Sequence, residues 1–153
     1  MRSLRTSRCW HRLAAGLLLA LPGWAPAGSA TFEAALSEHL SAIDRRDWAA
    51  FEATLTTAPT LSFVRPNGRL TVSSADFRKA LRAWLADGDW HWSYRIVSSS
   101  ANAHTGVAVL EVDYRDKDAQ GAEYRLRYLL SLVFSKEADG WKLVHDQNTL
   151  ISQ

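Results

Sequence analysis

His145 is followed by Asp146 and Gln147 near the C-terminus, and Glu111, Asp113, Arg125 and Arg127 occupy alternate positions upstream of it. These types suit distributed acid/base chemistry. His145 would titrate, Glu111 or Asp113 would orient its ring, and Arg127 would bind an anion or stabilise developing negative charge. Arg65, His91 and Gln147 are the remaining polar residues expected to contact a ligand. The same residues also fit a structural role, with His145 hydrogen-bonded at a sheet edge and Arg127 closing an ion pair with Glu111.

Other chemistries lack the necessary patterns. His39, His91, His104 and His145 show no H-x-x-x-H or H-E-x-x-H spacing, so no metal site and no cofactor are expected. His145 and Asp146 are neighbours in a predicted strand and point to opposite faces, which bars a direct base-and-orienter pair. There is no G-x-S-x-G elbow. Trp48, Trp84, Trp90, Trp92 and Trp141 could form an aromatic cage, but their core-periodic positions favour packing. Basic and acidic residues interleave without a basic stripe, so nothing points to nucleic acid.

The elements that position these residues are helical first and extended later. Phe32, Leu36, Leu40 and Ile43 recur at helical spacing. Asp47 is placed to cap a second segment bearing Trp48, Phe51 and Leu55. Leu61 to Arg65 and Arg69 to Val72 read as a hairpin turning at Pro66-Asn67-Gly68. Ser73 to Asp76 resembles a capping box before a third helix with Phe77, Leu81, Trp84 and Leu85. Strand patterns then cover Trp90 to Val97, Gly106 to Arg115, Glu123 to Ser135 and Trp141 to Ile151, giving a long antiparallel meander.

A tight connection over Asp116 to Gly121 sets Asp113 opposite Arg125 and Glu111 opposite Arg127. Leu110, Val112 and Tyr114 then share a face with Tyr124, Leu126 and Tyr128, and this even-numbered face, also bearing Trp92 and Tyr94, is apolar throughout and must be covered. The odd-numbered face is graded, with Val97, Val107, Val109, Leu129, Val133, Trp141 and Leu143 toward one end and the charged set toward the other. One assignment makes the odd face the concave pocket wall and the even face the outer surface, covered by a second copy in a homodimer. The inverse assignment turns the aromatic face to the helices and the charged face to water, with no dimer implied.

Residues 1–30 read as a secretory leader: Arg2, Arg5, Arg8 and Arg12 precede an apolar run from Leu13 to Leu21, then small residues fit cleavage after Ala27 or Ala30. That run, about nine residues, is shorter than the roughly twenty needed to span a bilayer, so no membrane anchor is expected after cleavage. Four of the eighteen Lys and Arg leave with the leader, and fourteen basic residues then face sixteen acidic ones. The mature chain is therefore mildly acidic, and it loses Cys9, its one cysteine, so no disulfide staples it. A single domain over residues 31–153, in a secreted or periplasmic protein, is the expectation.

Three helical segments, a short hairpin before the third, and a meander ending in Gly140-Trp141-Lys142-Leu143-Val144-His145-Asp146-Gln147-Asn148-Thr149 resemble the nuclear transport factor 2-like superfamily, within it the SnoaL-like and ketosteroid isomerase-like bacterial proteins. The resemblance implies an α+β cone, three N-terminal helical segments packed on a long curved antiparallel sheet, with a deep pocket and dimerisation through the outer sheet face. It does not carry over steroid-type isomerisation, because the hairpin Arg65-Pro66-Asn67-Gly68 lacks a carboxylate and the helix Phe32 to Ile43 lacks a tyrosine. The expected function is binding of a small organic ligand, including an anionic one. The alternatives are a lyase, isomerase or cyclase using His145 with Glu111 or Asp113, and a structural dimerisation or partner-binding module.

Overall fold

The structure, a computed structural model, describes residues 29–152; the expected leader up to residue 28, and Gln153, lie outside the described residues. Helix α1 (Phe32–Asp44) starts where the Thr31 side chain accepts a hydrogen bond from the Ala34 amide, and it buries Phe32, Leu36, Leu40 and Ile43. It breaks at Arg46, which takes a left-handed backbone (φ 53). The Arg46 guanidinium lies 4.0 Å over the Trp90 ring and donates to the carbonyls of Asp87 and Trp90, tying the break to residues 87–90. Asp47 then caps α2 (Trp48–Ala53), and the Lys142 ammonium donates to the Ala53 carbonyl at its far end.

Strands β1 (Thr60–Val64) and β2 (Leu70–Ser73) form the hairpin, whose turn places Gly68 at φ 79. Ser73 caps α3 (Ser74–Ala86) by accepting from the Asp76 amide. Strands β3 (His91–Ala101), β4 (Thr105–Lys117), β5 (Glu123–Glu137) and β6 (Gly140–Ser152) make the meander. The sheet order is β2-β1-β6-β5-β4-β3. Beyond the expected meander, the hairpin joins the same sheet, with β1 parallel to β6 and Phe63 beside Asp146. The fold is the expected α+β arrangement of helices over a sheet that is antiparallel except at that pair.

The β4–β5 register differs from the expected one by two residues: Asp113 lies opposite Arg127 and Glu111 opposite Leu129. The cause is a wider turn between Lys117 and Glu123, in which the Asp118 side chain accepts from the Gln120 and Ala122 amides and Gly121 takes φ 81. A shift of two preserves the faces, and the charges still pair diagonally, Arg125 with Asp113 and Arg127 with Glu111.

The faces follow the inverse assignment. Ala108, Leu110, Val112, Leu132 and Phe134 are wholly buried under the helices, so the even-numbered face of β4 and β5 is the inner one and is not available as a dimer surface. The assignment of Trp141 and Leu143 to the same face as His145 also fails. Val133 and Phe134 are consecutive, but their partners His145 and Leu143 are two apart, so Val144 is the extra residue of a bulge. Trp141 and Leu143 are therefore buried with the core, and beyond Val144 it is Asp146 and Asn148 that face inward.

Phe32 closes the wide end of the core against Phe134 and Trp141, with ring centroids 5.7 and 5.8 Å away. It fits because residue 106 is glycine: a Cβ there would lie 2.2 Å from a Phe32 ring carbon. Gly106→Ala is expected to lower the unfolding free energy by about 1 to 3 kcal/mol through forced displacement of the ring. An unchanged urea midpoint would show that Phe32 is not confined there.

Candidate functional site

Between α3, the first hairpin and the inner sheet face lies a cavity of about 500 Å³. Phe51, Phe63, Leu81, Trp84, Leu126 and Leu130 give it largely apolar walls, and Arg65, Pro66 and Asn67 contribute from the hairpin. Its polar groups fall into two sets. One is Asp146, Asn148 and Tyr128; the other is Asp116 with Tyr114 and Tyr124.

Asp146 lies opposite Leu132 on β5 and beside Phe63 on β1, and it is 8% exposed. Burial pushes its carboxyl up to about 7, opposed only by the hydrogen bond from Asn148. Asn148 Nδ2 donates to Asp146 Oδ1 at 2.8 Å and to the Val64 carbonyl at 3.1 Å, so it both orients the acid and ties β6 to the end of β1. Asp146 Oδ2 and the Tyr128 hydroxyl have no protein partner among the described residues. No described side-chain polar atom is both fully buried and unpaired, so these two atoms reach the cavity space. Burial first, and the Asp146 charge second, push the Tyr128 phenol upward, so it keeps its proton and remains a donor.

Asp116 lies opposite Tyr124. Its Oδ2 accepts from the Tyr114 hydroxyl at 2.7 Å and the Tyr124 hydroxyl at 3.2 Å, and Trp84 Nε1 donates to Tyr114 at 3.1 Å. Burial, then the bond to Asp116, drive the Tyr114 phenol upward. The cavity thus has an acid that titrates near neutrality in one set and a phenol-ringed carboxylate in the other.

Of the residues singled out in the sequence, Arg65 lines this cavity. His145, Glu111, Asp113 and Arg127 occupy the opposite face of the sheet, and no hydrogen bond or ion pair among the described residues links His145 to either carboxylate. Glu111 is held below the usual carboxylate range by the guanidiniums of Arg95 and Arg127, and Asp113 by that of Arg125. Arg127, chosen for an anion, therefore closes a surface ion pair. His91 is exposed at the start of β3, and Gln147 donates to Thr149 on its own strand. Strict alternation through β6, without the bulge at Val144, groups His145 and Gln147 with Trp141 and Leu143, whereas Glu111, Asp113, Arg127 and His91 enter a pocket only if the odd-numbered face is the concave one.

The sequence did contain a signal for the site: Asp146 and Asn148 face Leu132 and Leu130 of the apolar stripe of β5. A polar pair on a core-facing stripe needs a reason. His39 is a different case. Its ring packs on Phe51 and Phe134, and Nδ1 lies 2.8 Å from Thr54 Oγ1. The Thr54 hydroxyl already donates to the Phe51 carbonyl, so His39 Nδ1 must donate. Burial lowers its pKa to about 3, which keeps it neutral in the core and away from the cavity.

A family model described as a SnoaL-like domain matches residues 32–150. Among solved structures, the chain is similar to a ketosteroid isomerase-like protein from Erwinia carotovora atroseptica, with 20% identity and TM-score 0.63 over 79% of this chain and 94% of that one. A nuclear transport factor 2-like superfamily protein from Salmonella enterica serovar Typhimurium shares 15% identity and TM-score 0.62, over 78% and 88% of the two chains. The CaMKII hub of S. rosetta shares 20% identity and TM-score 0.59, over 78% and 93%. No curated protein gives a significant match. At these identities the likeness to the solved structures concerns the fold.

Folded Asp146 keeps its proton up to about pH 7, against an ordinary value of 3.8. The folded state binds the extra proton between those values, so this group makes stability fall as pH rises across that window. His39 acts oppositely: its unfolded value is 6.5 and its folded value about 3, so its contribution is lost as pH drops below 6.5. Asp146→Asn should leave stability nearly unchanged at pH 4. Its advantage over the wild type should then grow by about 1.4 kcal/mol per pH unit at most, levelling off above pH 7. Urea unfolding at several pH values measures this, and a variant less stable than wild type at pH 8 would contradict the buried-acid assignment.

Proposed function

Because the chain belongs to the SnoaL-like domain family and carries Asp146 on the wall of a largely apolar cavity, we propose that it binds a small, mostly apolar organic molecule and moves a proton on it through the Asp146 carboxyl. The observation that carries this reading is the burial of Asp146, pushed up to about 7, on a cavity wall that also holds the unpartnered Tyr128 hydroxyl. An acid at that value offers both protonation states at neutral pH, so it can take a proton from a carbon acid and return it elsewhere on the same molecule. Tyr128, holding its proton, supplies the donor for negative charge that develops on a carbonyl oxygen. Asn148 orients the base, and the apolar walls keep water from competing for the proton.

Pairing of two copies across the odd-numbered face belongs to the same reading. Val107 is 37% exposed there, with Val109, Leu129 and Val133 half-buried beside it. Val107→Glu with Leu129→Glu is expected to yield a folded monomer in sedimentation runs in which the parent protein is a dimer. A wild-type monomer at high concentration would leave that patch unpartnered.

For the chemistry, the probe is 2-indanone, whose acidic α-protons exchange with D2O and are followed by proton NMR. The protein should accelerate exchange over buffer, Asp146→Asn should lose about a hundredfold or more of that acceleration, and Tyr128→Phe about tenfold or more. The rate should rise with pH and level off above about 7, as Asp146 ionises. Full activity in a well-folded Asp146→Asn protein would remove the proposed base.

A further inference from the structure

The carboxylates on the two faces of the sheet are neutralised very differently. On the outer face Glu111 meets Arg95 at 2.6 Å as well as Arg127, and Asp113 meets Arg125 with Arg115 at 3.9 Å. On the cavity side, Asp116 and Asp146 have no Lys or Arg within ion-pair distance among the described residues. Lys117, next to Asp116, sends its ammonium to Asp89 instead, at 3.1 Å. Asp116 is held by neutral donors alone: the Tyr114 and Tyr124 hydroxyls and the Lys117 backbone amide at 2.7 Å. Such donors orient a carboxylate without cancelling its charge.

Resting on the reading of this cavity as a small-molecule site, we infer that the ligand is an organic cation, a protonated amine whose ammonium group binds at Asp116 among Tyr114, Tyr124 and Trp92. Aromatic faces attract a cation through their ring quadrupoles, and an unneutralised carboxylate among them adds direct charge attraction. Arg65, the one basic side chain that lines the cavity among the described residues, lies 5.6 Å over the Phe63 ring and leaves Asp116 unpaired. The Tyr128 hydroxyl, on a residue 7% exposed, has no protein partner among the described residues and opens into the same cavity, where it can meet a polar ligand atom. In the strand registers Asp116 sits level with Tyr124 and Asp146 level with Leu132. The two acids are therefore eight residues of β5 apart, roughly 26 Å along the strand, and the ammonium site at Asp116 is a part of the cavity wall separate from Asp146.

Three probes that share a phenylbutyl body and differ in the polar head test the charge preference: 4-phenylbutylamine, 4-phenylbutan-1-ol and 5-phenylpentanoate, titrated by tryptophan fluorescence, since Trp84 and Trp92 line the cavity. At pH 6, where Asp146 is mostly protonated, the amine should bind about tenfold or more tightly than the alcohol, and the carboxylate most weakly. Asp116→Asn should remove most of that preference while leaving alcohol affinity within about twofold, because the charge alone is lost. The inference is overturned if wild-type protein binds alcohol and amine equally, if the carboxylate binds best, or if folded Asp116→Asn keeps the amine preference. Alcohol binding without amine preference refutes the cation but spares the cavity reading; binding of none of the three refutes both.

Discussion

The extra residue at Val144 in β6 decides what the inner face of this protein can do. Upstream of it Trp141 and Leu143 point into the core and complete the packing around Phe32; downstream Asp146 and Asn148 point the same way. A regular strand would keep one pair inside and send the other to the surface, because side chains alternate with period two. The bulge allows a single strand to seal the wide end of the core and deliver a carboxyl to the cavity. The parallel pairing of β1 beside this region, with Phe63 next to Asp146, closes the acid off from water, and Asn148 links the two strands through the Val64 carbonyl.

The resulting electrostatics divide the sheet into a stabilised outside and a strained inside. Outer carboxylates are held in their charged form by arginines, in solvent, where each pair contributes little. Inside, Asp146 resists ionisation because burial withholds water from its charge, and the folded state bears that penalty as pH rises. His39 imposes the opposite dependence over nearly the same range, so the two buried groups largely offset each other between pH 3.8 and 6.5. Only the first of them touches the cavity. That contrast separates a core histidine, satisfied by Thr54, from a carboxyl with an oxygen left open to a ligand.

Much of the fold was legible from residue periodicity and caps. Asp47 and Ser73 stand where α2 and α3 begin, and the apolar run through Leu110, Val112, Tyr128 and Leu130 marks one continuous buried face. The site was not legible in the same way. Its location depends on a bulge, and nothing in Leu143-Val144-His145 announces an extra residue. Alternation carried through that point puts His145 and Gln147 with Trp141 and Leu143, and draws attention to the charged ladder of Glu111, Asp113 and Arg127, which is an outer-surface network. The five-residue turn after Lys117 misled less, since a two-residue change of register leaves every side chain on its own face.

The account stands on Asp146 being an acid buried on the cavity wall, and its carboxyl carbon can be followed directly by carbon-13 NMR across pH in the free protein. A titration midpoint near 7, moving upward when Asn148 is replaced by leucine, is the predicted result, because burial raises the acid and the Asn148 hydrogen bond opposes that rise. A midpoint near the ordinary aspartate value of 3.8 would contradict it, and with it the assignment of this face as the site of chemistry.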